Sequence, residues 1–406
     1  MSDRSIPHPN STLSVFQSRN VWNGETIITG ITIFFLFSII LQYTLIPTPI
    51  AYVIISVSYV PIVLYFLRYD SEIEANSIYT KIYIAFSLVI YLRLLFEPTA
   101  GNTARLIAFF TFTSFNMYLL PYVVPFYRFT AMVARLSMLL IFIGFLPYLG
   151  SPVRFGFVDL SLWEGRLYWY EGLNPITSVF HNPNQLGGLA LVGSIAAVHE
   201  YLENSTTISK ILFVVNFAGL LMTNWRTGWV ILIVSVWLYL IYLLWGRYLF
   251  STAVMSFFFA TIVGLLVVLN AIPGPNVISN IPLGNRRPRW ATSIQAILNR
   301  PLLGYGFTGV TQLEGNAGNP HNSFIRIFAV FGIFGGLLYV IITIGTAVGC
   351  ARRSMSYPEV TLSVLLTGFF ILQMFNQLSF IGLSMRSTFI SVMIGYYLTG
   401  EIKRNH

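Results

Sequence analysis

The chain has 406 residues, of which 55% are hydrophobic, 16% aromatic and only 9% charged. Soluble domains carry about 25% charged residues, so this composition excludes a protein with a water-exposed surface and points to a polytopic integral membrane protein. The formal net charge of +9 is read as a property of membrane-flanking segments rather than of a nucleic-acid partner, and the single cysteine, Cys350, excludes an intrachain disulfide framework and a multi-cysteine metal site.

The first 25 residues are polar, and the first apolar run is long enough to remain as a span, so no signal peptide is expected. Apolar stretches of spanning length follow at 26–46, 50–67, 82–96, 106–124, 130–149, 184–199, 208–223, 228–245, 251–271, 323–349, 360–382 and 386–400. The expected fold is an all-α membrane protein, a polytopic bundle of about 12 transmembrane helices. It forms one membrane domain over residues 1–406, with no repeat or linker to divide it. An amino terminus in the cytoplasm puts Arg68, Lys81, Arg128, Lys210, Arg247, Arg352, Arg353, Lys403 and Arg404 in cytoplasmic segments, as the positive-inside rule requires. Both termini then face the cytoplasm, in a multi-pass protein of the cytoplasmic (inner) membrane. The sequons beginning at Asn10 and Asn204 lie on cytoplasmic segments in this arrangement and read as chance.

Two hydrophilic segments are expected on the outer side, at 150–182 and 272–320. The second carries Arg286, Arg287, Arg289 and Arg300 against one acid, Glu314. Within it Trp290, Ile294, Ile297 and Leu298 recur at helical spacing, while Arg289, Ser293, Ala296 and Arg300 share another face. That pattern predicts a short amphipathic helix, of a kind that can lie at a membrane surface.

Chemistry-bearing groups collect on the same side. His181 precedes Asn182-Pro183-Asn184 at the start of the sixth stretch, and His321 precedes Asn322-Ser323 at the start of the tenth. Asn and Ser are good helix caps, so each segment reads either as a helix start alone or as a site. Arg226 sits in the tight turn between the seventh and eighth stretches, where an arginine near membrane depth needs an anionic partner, a water-filled pocket or a route to the interface. Arg326 lies one helical turn after Asn322, and Arg386 opens the last stretch, so these groups can line one cationic cavity. Such a cavity suits a lipid-linked diphosphate: the polyprenyl tail stays in the bilayer, arginines grip the phosphates, and charge developing on the departing diphosphate is stabilised. A base for the acceptor hydroxyl is then required, and His321 is the candidate. No P-loop is present. The acidic run from Asp70 to Glu74 falls on the cytoplasmic side and reads as a solvated loop, and Gln373, Asn376 and Gln377 read as interhelical hydrogen-bonding groups.

In this order the pieces resemble the O-antigen ligase and O-antigen polymerase superfamily. The resemblance rests on Asn182-Pro183-Asn184 with Leu186-Gly187, and on the isolated Arg226. It continues with Arg286 four residues before Trp290, Arg300-Pro301-Leu302-Leu303-Gly304-Tyr305-Gly306, and His321-Asn322-Ser323 ahead of Gly332 and Gly335. It covers about 180–340. It implies a metal-independent, inverting glycosyltransferase without cofactors, acting on a polyprenyl-diphosphate-linked glycan donor and a glycan or glycolipid acceptor at the outer face. Arg226 and an arginine of the large loop, by register Arg286, would hold the diphosphate and His321 the acceptor hydroxyl. The expected catalytic set is therefore His321, Arg226 and Arg286, with Arg287, Arg289, Asn182, Asn184, Asn322 and Arg326 as substrate-binding groups and no metal.

Two rival functions share the hydropathy pattern. A flippase or exporter of lipid-linked oligosaccharide would carry charge along a central path rather than in one outer loop. A glycosyltransferase using a monophosphate donor would use an acidic base in the first outer loop, which here is Pro47-Thr48-Pro49; the first outer acids are Glu97, Asp159, Glu164 and Glu171.

Overall fold

The computed structural model describes residues 11–68, 78–96, 100–150, 152–156, 158–269, 272–275 and 286–402. His8, Asn10, the acidic run from Asp70 to Glu74, Glu97, Lys403, Arg404 and His406 lie outside the described residues.

The described chain is almost wholly helical, and eight of its helices are long and apolar enough to cross a membrane. The first four helical segments are Ser11–Leu41, Thr48–Arg68, Ile78–Phe96 and Ala100–Ser114. The last of these continues through a π-helical turn, Phe115–Leu119, into Leu120–Val123. Phe126–Leu149, Pro183–Asn204 and Thr207–Met222 follow, and Tyr357–Phe375 and Met385–Thr399 close the bundle. Tyr357–Phe375 is the central post: 94% of its spanning window is buried, against 22% for Arg226–Val268 at the perimeter. Outward-facing Phe259 and Ile233 remain 71% and 69% exposed, an apolar exterior that only a hydrocarbon solvent suits.

Two glycines set the path of the chain. Arg226–Val268 is two helices meeting at Gly246, whose φ of 76° breaks the helix. Tyr242 and Phe250 lie eight residues apart, about 12 Å along a straight helix, yet their rings approach to 5.7 Å. The chain therefore turns sharply, as the separate stretches 228–245 and 251–271 anticipate. Ser323–Arg353 likewise breaks at Gly332, φ 67°. Phe324 and Tyr339, fifteen residues apart, bring their rings to 5.6 Å, where a straight helix would separate them by about 22 Å. This corrects the expectation of one continuous span over 323–349: a short buried arm from Ser323 meets a longer helix at a corner.

The corner is held by the segment from Pro301 to Tyr305. In an unbroken helix the Ile333 N–H would bond the Ala329 carbonyl. Instead Ile333 N–H donates to the Pro301 carbonyl at 2.7 Å, and the Ala329 carbonyl accepts from Tyr305 N–H at 2.8 Å. The inserted segment thus satisfies both halves of one broken helical bond, which an apolar interior demands. It passes so close that a Cβ on Gly332 would lie 2.1 Å from the Leu302 carbonyl oxygen, and one on Gly304, φ 67°, 2.6 Å from the Ala329 oxygen.

The 150–182 segment departs from a purely helical fold. Val153–Phe155 pairs antiparallel with Val158–Leu160, and bridges join Leu162 to Ile176 and Leu167 to Tyr170. The longer hydrophilic segment holds two helices, Arg286–Asn299 and Gly306–Ala317. The first is the expected amphipathic helix with a different buried stripe. Trp290 and Ala296 are enclosed, and Leu298 is 65% exposed. Trp290 packs with Val268 and Ile325 and donates its indole N–H to the Pro320 carbonyl at 2.6 Å. The helix is thus seated on protein along this stripe, because Trp290 finds both an apolar niche and a hydrogen-bond acceptor there.

Candidate active site

The hydrophilic segments and the turns at 222–226, 320–323 and 376–386 gather at one end of the bundle, tied by direct contacts. Ile176 N–H donates to the Met222 carbonyl at 3.0 Å. Asn224, in the left-handed region at φ 59°, accepts from Tyr168 N–H and donates to the Arg166 carbonyl, each at 3.0 Å. This staple lays Tyr168 over Arg226, whose guanidinium carbon sits 4.5 Å from the ring centroid, a cation–π contact. Arg226 is the first residue of its helix, behind Trp225, which offers no side-chain cap.

Arg286 is the first described residue of Arg286–Asn299. Its guanidinium carbon lies 5.8 Å from the Phe375 ring centroid. Burial and the neighbouring charge of Arg226 lower its pKa from the usual value; a guanidinium stays protonated regardless, so the shift records crowding of like charge. Arg289, one turn on, donates to the Asn319 carbonyl at 3.3 Å. Arg386 is the second residue of Met385–Thr399 and is buried, 7% exposed. It donates to Gln185 Oε1 at 2.5 Å and lies 5.8 Å from the ring of Trp225, the residue before Arg226.

Cations are stabilised at helix C-termini and destabilised at N-termini, by about 0.3–1 kcal/mol each. Here Arg226 and Arg386 occupy first turns, and neither they nor Arg286 has a carboxylate partner among the described residues. Glu314 is already engaged, accepting from Arg326 Nε at 2.9 Å and from Gln377 Nε2 at 3.0 Å, and Glu171 pairs with Arg166 at 3.3 Å. Such a concentration of positive charge without carboxylate partners suits an anion.

His321 borders this group. Its backbone is left-handed at φ 49°, uncommon for a residue other than glycine, and is held by an N–H bond to Asn319 Oδ1 at 2.7 Å. Its imidazole has no hydrogen-bond partner among the described residues. Burial, then the charges of Arg286 and Arg289, push its pKa below 6.5, with Glu314 acting in the opposite sense. These surroundings favour the neutral ring, the form that can accept a proton.

The fold thus brings Arg226, Arg286, Arg289 and His321 together from three separate parts of the chain. The remaining expected residues are placed differently. Arg287 is exposed and makes no hydrogen bond or ion pair among the described residues. Arg326 is neutralised by Glu314. Asn322 is fully enclosed and caps Ser323–Arg353 by accepting from Ile325 N–H at 3.0 Å. Asn182 caps Pro183–Asn204 by accepting from Asn184 N–H at 2.8 Å, while the Asn184 side chain is exposed. These asparagines build helix starts, the structural half of the alternative left open by the sequence. Tyr168 and Asn224 escaped sequence reasoning because their partners lie far away in the chain, and Glu314 is marked there only as the one acid of its segment. Arg386 is marked there as the opening of the last apolar stretch and as one of the groups that can line a cationic cavity, without a named role.

No curated protein matches the chain as a relative. A family model described as O-antigen ligase matches residues 211–340, the stretch that contains Arg226, Arg286, Arg289, the corner-clamping segment and His321. Over that stretch, about a third of the chain, and together with the motifs around it, the match supports a likeness to the O-antigen ligase and polymerase superfamily.

Proposed function

We propose that the protein is a glycosyltransferase of the cytoplasmic membrane that transfers a glycan from a polyprenyl-diphosphate donor to an acceptor hydroxyl at the outer face. In this reading the whole chain is one membrane domain of about twelve spans, both termini are cytoplasmic, and the arginine-bearing end faces outward. The observation that carries it is the set of guanidinium groups without carboxylate partners among the described residues, those of Arg226 and Arg386 at helix N-termini, beside an imidazole that engages no hydrogen-bond partner there.

Arg226 and Arg286 hold the diphosphate, with Arg289 at its edge. The acceptor oxygen attacks the anomeric carbon of the donor sugar while the bond from that carbon to the diphosphate oxygen breaks. The acceptor proton passes to His321, and the bonding electron pair leaves on the diphosphate, where the guanidinium groups stabilise it. A single direct displacement inverts the anomeric configuration. Guanidinium groups supply the positive charge, so the step needs no metal. The gathering of these cations at one end, rather than along the central Tyr357–Phe375 helix, supports transfer over transport.

The test is reconstitution in proteoliposomes with a defined lipid-linked repeat, with and without acceptor. Transfer in the wild type and its loss in Arg226→Ala and His321→Ala, both at wild-type expression, is expected; full activity in both variants overturns the assignment. Long products without added acceptor mark a polymerase, and strict dependence on an added glycolipid acceptor marks a ligase.

A further inference from the structure

A ledge of three consecutive aromatic residues adjoins the cation cluster. Two successive turns build it: Tyr170 N–H donates to the Leu167 carbonyl at 3.3 Å, and Leu173 N–H donates to the Tyr170 carbonyl at 3.4 Å, with Leu167 buried in the core. Tips of turns ordinarily carry Gly, Asn, Asp or Ser. Here they carry Tyr168, Trp169 and Tyr170, each more than half exposed. Rings of this size bury about 150–250 Å² each when covered, so a contiguous exposed group of them marks a surface that receives a partner.

The ledge is fixed from below. Tyr168 is held by its N–H bond to Asn224 Oδ1 and by Arg226 against its ring. Trp169 donates its indole N–H to the Leu221 carbonyl at 3.3 Å. Tyr170 lies across Gly172, where a Cβ would meet its ring at 2.7 Å, and its centroid is 6.4 Å from that of Trp169 at an interplanar angle of 34°. Rings ordered in advance lose little entropy on binding.

Tyrosine and tryptophan at one end of a membrane protein serve either as an interfacial belt or as a recognition surface. The flanking residues favour recognition. Arg166 and Glu171 bracket the three rings, pair at 3.3 Å and are both largely exposed, and charges so placed belong in water rather than hydrocarbon. An exposed ion pair contributes little by itself, so it can turn to a ligand's hydroxyl groups at little cost. A ligand with apolar C–H faces for the rings and hydroxyls for the ion pair is a saccharide. Tyr168 belongs to both the ledge and the surroundings of Arg226, so the ledge begins where a diphosphate on Arg226 would end, and in a lipid-linked donor the first sugar is bonded directly to that diphosphate. We infer that Tyr168, Trp169 and Tyr170 stack the glycan of the donor, with Arg166 and Glu171 at its hydroxyl rim. The assignment to the donor rests on the glycosyl-transfer reading above.

The experiment is equilibrium binding of two lipids, bare polyprenyl diphosphate and polyprenyl diphosphate carrying N-acetylglucosamine, to the full chain in nanodiscs. The wild type is expected to bind the glycosylated lipid about tenfold more tightly. Trp169→Ala and Tyr170→Ala, each with an unchanged thermal midpoint, are expected to lose that preference while binding the bare lipid within about threefold of wild type, and Trp169→Phe to keep most of it. Tyr170→Ala keeps the test open should Trp169→Ala, which loses the bond to Leu221, not fold. Equal affinity of the wild type for both lipids, a preference that survives in the folded variants, or an equal loss for both lipids, the mark of a membrane-facing belt, overturns the ledge assignment. Arg226→Ala separates the two claims. If it weakens both lipids alike while the ledge variants keep the preference, only the ledge falls; if it leaves the bare lipid bound normally while the ledge variants still lose the preference, the diphosphate reading falls and a saccharide ledge remains.

Discussion

Gly332→Ala tests whether the corner below His321 depends on the inserted Pro301–Tyr305 segment. An L-residue at φ 67° costs about 1–2 kcal/mol. The new Cβ would lie 2.1 Å from the Leu302 carbonyl oxygen, where ordinary contacts begin at 3.4 Å, so the inserted segment must withdraw by more than an ångström. Withdrawal breaks the Ile333–Pro301 and Tyr305–Ala329 bonds, at about 0.5–1.5 kcal/mol each, and more where a freed group stays buried. The expected loss is about 2–5 kcal/mol in total, a large fraction of the roughly 5–15 kcal/mol that holds a domain together. Thermal unfolding in detergent and glycan transfer are the readouts. Gly264→Ala is the control, since a Cβ on that helical glycine would meet nothing within 4 Å and the variant should be neutral or more stable by up to about 1 kcal/mol. A Gly332→Ala protein as stable and active as the control would refute the clamp.

Other perturbations address the site itself. Arg289→Gln removes a charge that lowers the His321 pKa, so that pKa rises and the acidic limb of the pH–rate profile should move to higher pH; an unmoved limb contradicts His321 as the base. Gln185→Glu gives the buried Arg386 a carboxylate of its own. It should weaken polyprenyl diphosphate binding by about tenfold, the scale of one charge-assisted contact, and unchanged affinity would separate Arg386 from the donor site. Asn322→Ala should lower stability by about 0.5–2 kcal/mol through the lost cap without changing the KM for the donor; a donor-specific KM effect at wild-type stability would return Asn322 to the substrate.

Much of the helical layout is legible in the sequence because hydropathy reports burial in lipid directly. Each expected apolar stretch falls largely within a helix, and the separate stretches either side of Gly246 are distinct in sequence. The corner at Gly332 is not, since Ser323–Phe331 is as apolar as the helix after it and the break depends on hydrogen bonds supplied from 301–305. The segment around Pro301 and Gly304 thus has a structural meaning that spacing alone does not convey. At the site, charge without nearby acids marks Arg226 and Arg286, yet which cations are neutralised depends on tertiary pairing. Glu314 claims Arg326 and leaves its neighbours, and Asn322 is turned inward by its own capping bond. The buried stripe of Arg286–Asn299 differs from the periodicity because Trp290 follows an acceptor at Pro320.

The most direct measurement is equilibrium binding of polyprenyl diphosphate to the reconstituted protein and to its Arg226→Ala and His321→Ala variants, with single-turnover transfer on the same samples. Binding should weaken at least a hundredfold in Arg226→Ala, the scale of losing one preorganised anion ligand, and stay within about threefold in His321→Ala, whose transfer step alone should fall by roughly 10²–10⁴. Undiminished binding without Arg226, or undiminished transfer without His321, would contradict the division of labour between guanidinium and imidazole.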